Sequence, residues 1–214
     1  MSSNRSKRSD RGKVSARSKR QKGNRWLKGG NRDGIDKDTL QLADDGSILY
    51  DSALEMLKGF QSFSKALGED EKKHPYAKAA KACREYAKEM RNEKVSFEAG
   101  AGQLEGMMKT CHALKEHFGS SILSKLISFK DTECKIVDNQ MTMFKKLHAD
   151  YTKKKKANAD KVILEAAESS FKKALEEAKD TLGKFTKAGT ELMTSIAADA
   201  KTGFDAYCEQ ASNL

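Results

Sequence analysis

Beyond residue 46, apolar side chains recur at steps of three, four and seven residues in three successive segments, the spacing of helices that each bury one face. In the first segment Leu54, Leu57, Phe60 and Phe63 form the stripe. Ser52 to Glu55 has the spacing of a capping box, so this helix is expected to start near Ser47 or Ser52. The pattern lapses over GEDEKKHP, residues 68–75, which contains the chain's one proline, Pro75, and marks a kink or a break. It resumes at Tyr76 and runs through Ala79, Cys83, Tyr86 and Met90, giving a first segment of 47–95. The second segment, 96–157, carries Leu104, Met108, Cys111, Leu114, Phe118, Ile122, Leu126, Phe129, Ile136, Met143 and Leu147. The third, 160–212, opens with Asp160 as N-cap and carries a heptad-like stripe from Leu164 and Phe171 through Leu182, Phe185, Leu192 and Ile196 to Phe204 and Tyr207.

At 1.5 Å per residue each of the last two segments spans about 75 Å, whereas a mean helix has about three turns. Rods of that length in a chain of 214 residues cannot fold into a sphere and must lie side by side. The expected fold is all-α: an elongated antiparallel bundle of three long helices, whose broad apolar faces complete their burial by dimerisation. Composition agrees, with 7% aromatic residues, one proline and abundant Ala, Lys, Glu and Leu. Gly183, Gly189 and Gly203 lower the helix propensity of the third segment, which points to tight packing or a bend there.

Charge divides the chain in two. Residues 1–34 hold twelve Lys and Arg against two Asp, a net +10 that equals the formal charge of the whole chain, so the remainder balances. This first stretch has almost no apolar side chains to offset chain entropy, and is expected to be a disordered tail attached to a body of residues 35–214. Within the neutral body, seven lysines gather at the turn between the second and third segments: Lys145, Lys146, Lys153, Lys154, Lys155, Lys156 and Lys161, against Asp150 and Asp160. In the tail the basic residues are Arg5, Lys7, Arg8, Arg11, Lys13, Arg17, Lys19, Arg20, Lys22, Arg25, Lys28 and Arg32. Both clusters are candidate contacts for an anionic partner. Trp26 and Leu27, flanked by Arg25 and Lys28, suit the headgroup boundary of a bilayer, or else dock back onto the body.

Other chemistry is sparse. Gly100, Gly102 and Gly106 do not make the GxGxxG spacing of a phosphate loop, and no strand pattern precedes them. Cys111, His112 and His117 lack the paired spacing of a zinc site. His74, His112, His117 and His148 have no Ser or Cys beside them in a catalytic context. Neither an enzyme, a metal site nor a cofactor is therefore expected. Cys83, Cys111, Cys134 and Cys208 form no CxxC pair, no apolar run reaches the ~20 residues that cross a bilayer, and the N-terminus lacks a signal-peptide core. These features predict a cytoplasmic protein that touches membranes only peripherally.

The order of these features resembles a BAR domain over roughly residues 40–214: a basic extension, a first helix with a break, two very long helices, and Leu147, Asp150 and Tyr151 shortly before the Lys153–Lys156 run. The resemblance implies a crescent-shaped antiparallel homodimer with a central six-helix bundle. Its concave face and tips would bind anionic phospholipid and sense or generate curvature in endocytosis and membrane trafficking. The sequence departs from many members at Thr152, where an acidic residue is usual. The tail also has no amphipathic stripe, which argues against insertion as a wedge. Two other functions fit the charge pattern. A nucleic-acid binder would neutralise phosphates with the tail and use the helical body to dimerise. A coiled-coil adaptor would bind protein partners along its helices. A lysine cluster at the far end of a rod favours the membrane.

Overall fold

A computed structural model describes residues 25–27, 32–68, 73–89 and 94–214. Among the described residues there are α-helices and no strands: α1 (Lys37–Ala66), α2 (Pro75–Glu89), α3 (Lys94–His117), α4 (Ser124–Asp131), α5 (Glu133–Lys156) and α6 (Lys161–Ser212), with a π-helical turn at Phe118–Leu123 between α3 and α4.

Helix α1 starts well before Ser47. Asp36 is its N-cap, accepting the Thr39 N–H at 2.9 Å and the Thr39 hydroxyl at 2.8 Å, and these bonds hold its carboxyl below the ordinary value. Ser52 and Glu55, expected as a capping box, lie in mid-helix instead. Helix α1 ends at Ala66 and α2 begins at Pro75, a break rather than a kink, and Gly68 takes a φ of +101°. Two bonds staple the break: the Lys115 ammonium donates to the Gly68 carbonyl at 2.6 Å, and His74 Nε2 lies 3.0 Å from the Leu67 carbonyl. His74 Nδ1 accepts from the Tyr76 N–H, which leaves Nε2 to carry the proton. The expected 47–95 segment is thus two helices with different partners. α1 packs on α6, whereas α2 runs antiparallel to α3, with Arg84 paired to Glu105 and Tyr86 edge-on to Phe97.

Helices α3, α4 and α5 follow one another in a nearly continuous rod antiparallel to α6. Gln103 reaches the Leu214 carbonyl, Lys125 binds Asp199, and Gln140 binds Glu177, so the two runs pair in opposite order from the hairpin outward. α1 runs parallel to α6: Asp36 lies by Lys179, Leu49 by Gly189, and Phe63 by Phe204. Most of the fully buried large side chains, among them Phe118, Ile122, Leu126, Val137, Met141, Phe144, Leu182, Phe185 and Ile196, come from the rod and α6, and α1 adds Thr39.

Two irregularities keep the rod's stripe aligned. Leu114, Phe118, Ile122 and Leu126 are buried at successive steps of four, more than the 3.6 residues of an α-helical turn, and would drift off the core face. The wider π turn at Phe118–Leu123 absorbs the excess. Beyond Phe129 the next buried residue is five positions on, at Cys134. That longer step is taken up at Thr132, whose backbone leaves the helical region at φ −109°, ψ −80°. Ile136 and Met143, expected in the stripe because they continue Phe129 at heptad spacing, are rotated outward by this step and are each 55% exposed.

The glycines of α6 differ sharply in their surroundings. A Cβ on Gly203 would lie 2.6 Å from the His117 ring and 2.9 Å from the Phe118 ring, while one on Gly183 would meet nothing within 4 Å. Gly203→Ala gains up to about 1 kcal/mol of helix propensity, but overpacking against two rings costs about 1–3 kcal/mol, so destabilisation is expected. Gly183→Ala keeps the gain alone and should stabilise. Urea unfolding of both variants checks the pair, and equal shifts would contradict the packing.

Candidate functional site

The lysine run ends α5, at the hairpin where the chain turns into α6. Lys153 to Lys156 occupy the last turn, where the carbonyl end of the helix dipole places partial negative charge and favours cations, and where the carbonyls of Lys153, Lys154 and Lys155 accept from the Ala157, Ala159 and Asn158 N–H groups. Asn158 makes the turn in the left-handed region at φ 47°, and Asp160 caps α6 by accepting the Val162 N–H at 2.9 Å. The hairpin and its N-cap therefore lie where the sequence pattern places them.

Lys145, Lys146, Lys153, Lys155, Lys156 and Lys161 are exposed. Lys154 is half-buried and donates to Asp150 at 2.7 Å, one turn back, so the run is not wholly without an acidic partner. Lys161 stands 3.9 Å from Glu165. Exposed pairs of this kind hold little energy and leave the ammonium groups open to another anion. Across the hairpin, Tyr151 stacks on Phe171 with centroids 5.2 Å apart and planes 3° from parallel. The Lys155 ammonium lies 5.7 Å from the centre of the Tyr151 ring. Lys155, Lys156 and Lys172 border a cavity of about 370 Å³ beside this stack. Glu168 borders it too, its carboxyl lowered by the Lys172 hydrogen bond and charge and then by Lys155. The surface is a cluster of ammonium groups on two helices, with Asp150, Glu165 and Glu168 as internal counter-charges.

Of the tail, Arg5, Lys7, Arg8, Arg11, Lys13, Arg17, Lys19, Arg20, Lys22 and Lys28 lie outside the described residues. Arg25, Trp26 and Leu27 do not behave as tail. Trp26 is 3% exposed and Leu27 is 6% exposed. The Trp26 indole N–H donates to Asp138 Oδ1 at 2.7 Å, and the ring stands edge-on to Tyr50 and Phe185. Tyr50 donates its hydroxyl to the other oxygen of Asp138 at 2.8 Å. Arg25 lies 3.9 Å over the Tyr50 ring, pairs with Asp51 at 3.3 Å and with Asp138 at 3.8 Å, and donates its backbone N–H to Ser47. Gly46 makes the room, since a Cβ there would be 3.1 Å from the indole.

This corrects the placement of Trp26 and Leu27 at a bilayer headgroup boundary: they are docked on the body. Truncating a buried Trp costs about 3–5 kcal/mol, more than a half-wet indole recovers at an interface. Trp26, Leu27 and Ile35 belong to one buried apolar cluster with residues of the helices. A tryptophan amid basic residues looks alike in sequence whether it faces lipid or a groove. The glycine inside α1, at Gly46, was the available hint that something large sits there.

No protein-family model matches the chain, and no curated protein matches it. Among the described residues no helix is long and apolar enough to cross a membrane, and no group of three His, Cys, Asp or Glu could hold a metal ion.

Burial and the Asp138 carboxylate push the Tyr50 phenol up from 10.0 to about 12. A raised folded-state value means that Tyr50 contributes stability fully below pH 10.0, and that this is lost as pH rises towards about 12. Thermal unfolding of the wild-type chain should therefore drop more steeply over that window than that of Tyr50→Phe. Parallel curves for the two proteins would contradict the buried, hydrogen-bonded phenol.

Proposed function

We propose that the chain is a peripheral membrane scaffold of the BAR type, dimeric and crescent-shaped, which holds anionic bilayers through its hairpin tip and basic tail. The observation that carries this reading is the position of the lysine cluster: six exposed lysines surround the end of the α5–α6 hairpin, at the extremity of a body whose charge is balanced as a whole. Anionic headgroups attract each basic residue near the surface by about 1 kcal/mol, falling off within a Debye length, so one lysine holds nothing and a cluster holds reversibly. A dimer presents two tips and two tails and gains avidity from their linkage. A rigid curved rod charged at its ends makes most contact where the bilayer already follows its curve.

The second copy in this proposal covers apolar surface that the single chain leaves open. Ile136 and Met143 lie one heptad apart on the outside of α5, each 55% exposed, and Ile127 on α4 is 44% exposed. A nucleic-acid function draws less support. Residues 1–24 contain no aromatic side chain, and Trp26, the chain's one tryptophan, is buried and so not offered to a base.

Co-sedimentation with liposomes tests the reading. The full chain should sediment with anionic vesicles, should be released by high salt, and should ignore neutral vesicles. Reversing Lys153, Lys154, Lys155 and Lys156 to Glu should reduce binding severely and abolish tubulation seen by electron microscopy. Undiminished binding by the reversal variant would overturn the tip contact. A chain that ignores liposomes but retards RNA, and stops doing so when residues 1–24 are removed, would establish the nucleic-acid alternative.

A further inference from the structure

We propose that the groove formed by Gly46, Tyr50, Asp138 and Phe185 is a docking site for an Arg-Trp-Leu peptide, filled in cis by residues 25–27. The contacts read those three residues one at a time. The indole enters where Gly46 has no side chain, stands edge-on to Tyr50 and Phe185, and gives its N–H to Asp138. Arg25 lies over the outer part of Tyr50 and reaches both Asp51 and Asp138. Leu27 is buried to 6% exposure within the apolar cluster of the body. A basic, an aromatic and an aliphatic residue in that order each meet a matching surface, which is sequence recognition rather than general burial.

The groove is also built by the body alone. Its walls come from α1, α5 and α6; α1 packs on α6 through Leu49 at Gly189, α5 packs along α6, and Phe185 of α6 also stacks on Phe129 of α4. Asp138 is already held by the Tyr50 hydroxyl, so one carboxylate oxygen stands oriented to receive an indole. With the peptide bound, the basic residues of 1–24, a net +8, start from the side of the body at the level of Asp138 and Asp51 and not from the hairpin tip. Each chain then carries two separated cationic contacts. That last consequence rests on the membrane reading above, whereas the docking does not.

The test uses full-length chains and a fluorescein-labelled peptide of residues 19–31, read by anisotropy in the absence of any membrane. The variant Arg25→Ala/Trp26→Ala/Leu27→Ala empties the groove and should bind the peptide. The wild-type chain, already occupied, and the emptied variant with Asp138→Ala should each bind about tenfold or more weakly, as expected when a hydrogen bond to a charged group is blocked or lost. Equal binding to wild-type and emptied chains, or indifference to Asp138→Ala, would overturn the proposal. If the emptied variant loses its helical circular dichroism, acrylamide quenching of Trp26 in otherwise wild-type chains decides. Trp26 should be shielded in the wild-type chain and markedly more quenched with Asp138→Ala. Quenching as free as that of the isolated peptide in wild type, or no change with Asp138→Ala, would again overturn it. Loss of liposome binding with intact peptide docking would reject the membrane reading and leave the groove standing.

Discussion

A helix of 52 residues cannot bury an apolar stripe against itself, and everything else in this chain follows from that constraint. α6 needs a partner of similar length, and the α3–α5 run supplies it through a four-residue hairpin turn at 157–160. α1 then covers the middle of the pair, and α2 covers the part of α3 nearest its start. The axial pairing fixes where charge can stand. Lysines along the sides would face acidic neighbours one turn away, as Lys184 faces Asp180 and Lys201 faces Asp205. At the last turn of α5 the side of the bundle ends, and of four consecutive lysines only Lys154 pairs one turn back, with Asp150, while Lys153, Lys155 and Lys156 are exposed.

Asp138 does for the tail what the hairpin does for the lysines. One half-buried carboxylate receives the Trp26 indole N–H, the Arg25 guanidinium and the Tyr50 phenol, which ties residues 25–27 to α1 and α5. The stack Trp26, Tyr50, Phe185 and Phe129 carries that tie into the core of α6. A second aromatic stack, Tyr151 on Phe171 with His148 beside it, does the same nearer the tip, where His148 Nε2 lies 3.0 Å from the Asp33 carbonyl. Residues 32–36 thus lie nearer the hairpin than residues 25–27 do, and α1 runs from there away from the charged end.

Much of the fold was written in the apolar spacing because long helices repeat their signal many times. The two longest runs, the break before Pro75, the hairpin and the Asp160 cap could all be read from sequence. What escaped were features fixed by a single contact. α1 begins where Asp36 finds Thr39, a local pair with no apolar stripe to announce it. The π turn was legible only in the run of three four-residue steps from Leu114 to Leu126, and the register change at Thr132 only as the missing buried residue before Cys134. At the candidate site the lysines were evident and their pairing was not, since Lys154 finds Asp150 by facing back along α5. The docking of Trp26 depends on Asp138, more than a hundred residues away, and no local pattern encodes that distance.

The proposed contact between the hairpin tip and a bilayer is tested most directly by nitroxide labels on the two ends of the rod. In a chain whose four native cysteines are replaced, one label at Lys156→Cys marks the tip and another at Val95→Cys, 80% exposed, marks the opposite end of the α3–α5 run. On adding anionic vesicles, the label at 156 should lose access to a water-soluble relaxation agent and the label at 95 should keep it. Full aqueous access at 156 in vesicle-bound protein would contradict the tip as the place where this chain meets a membrane.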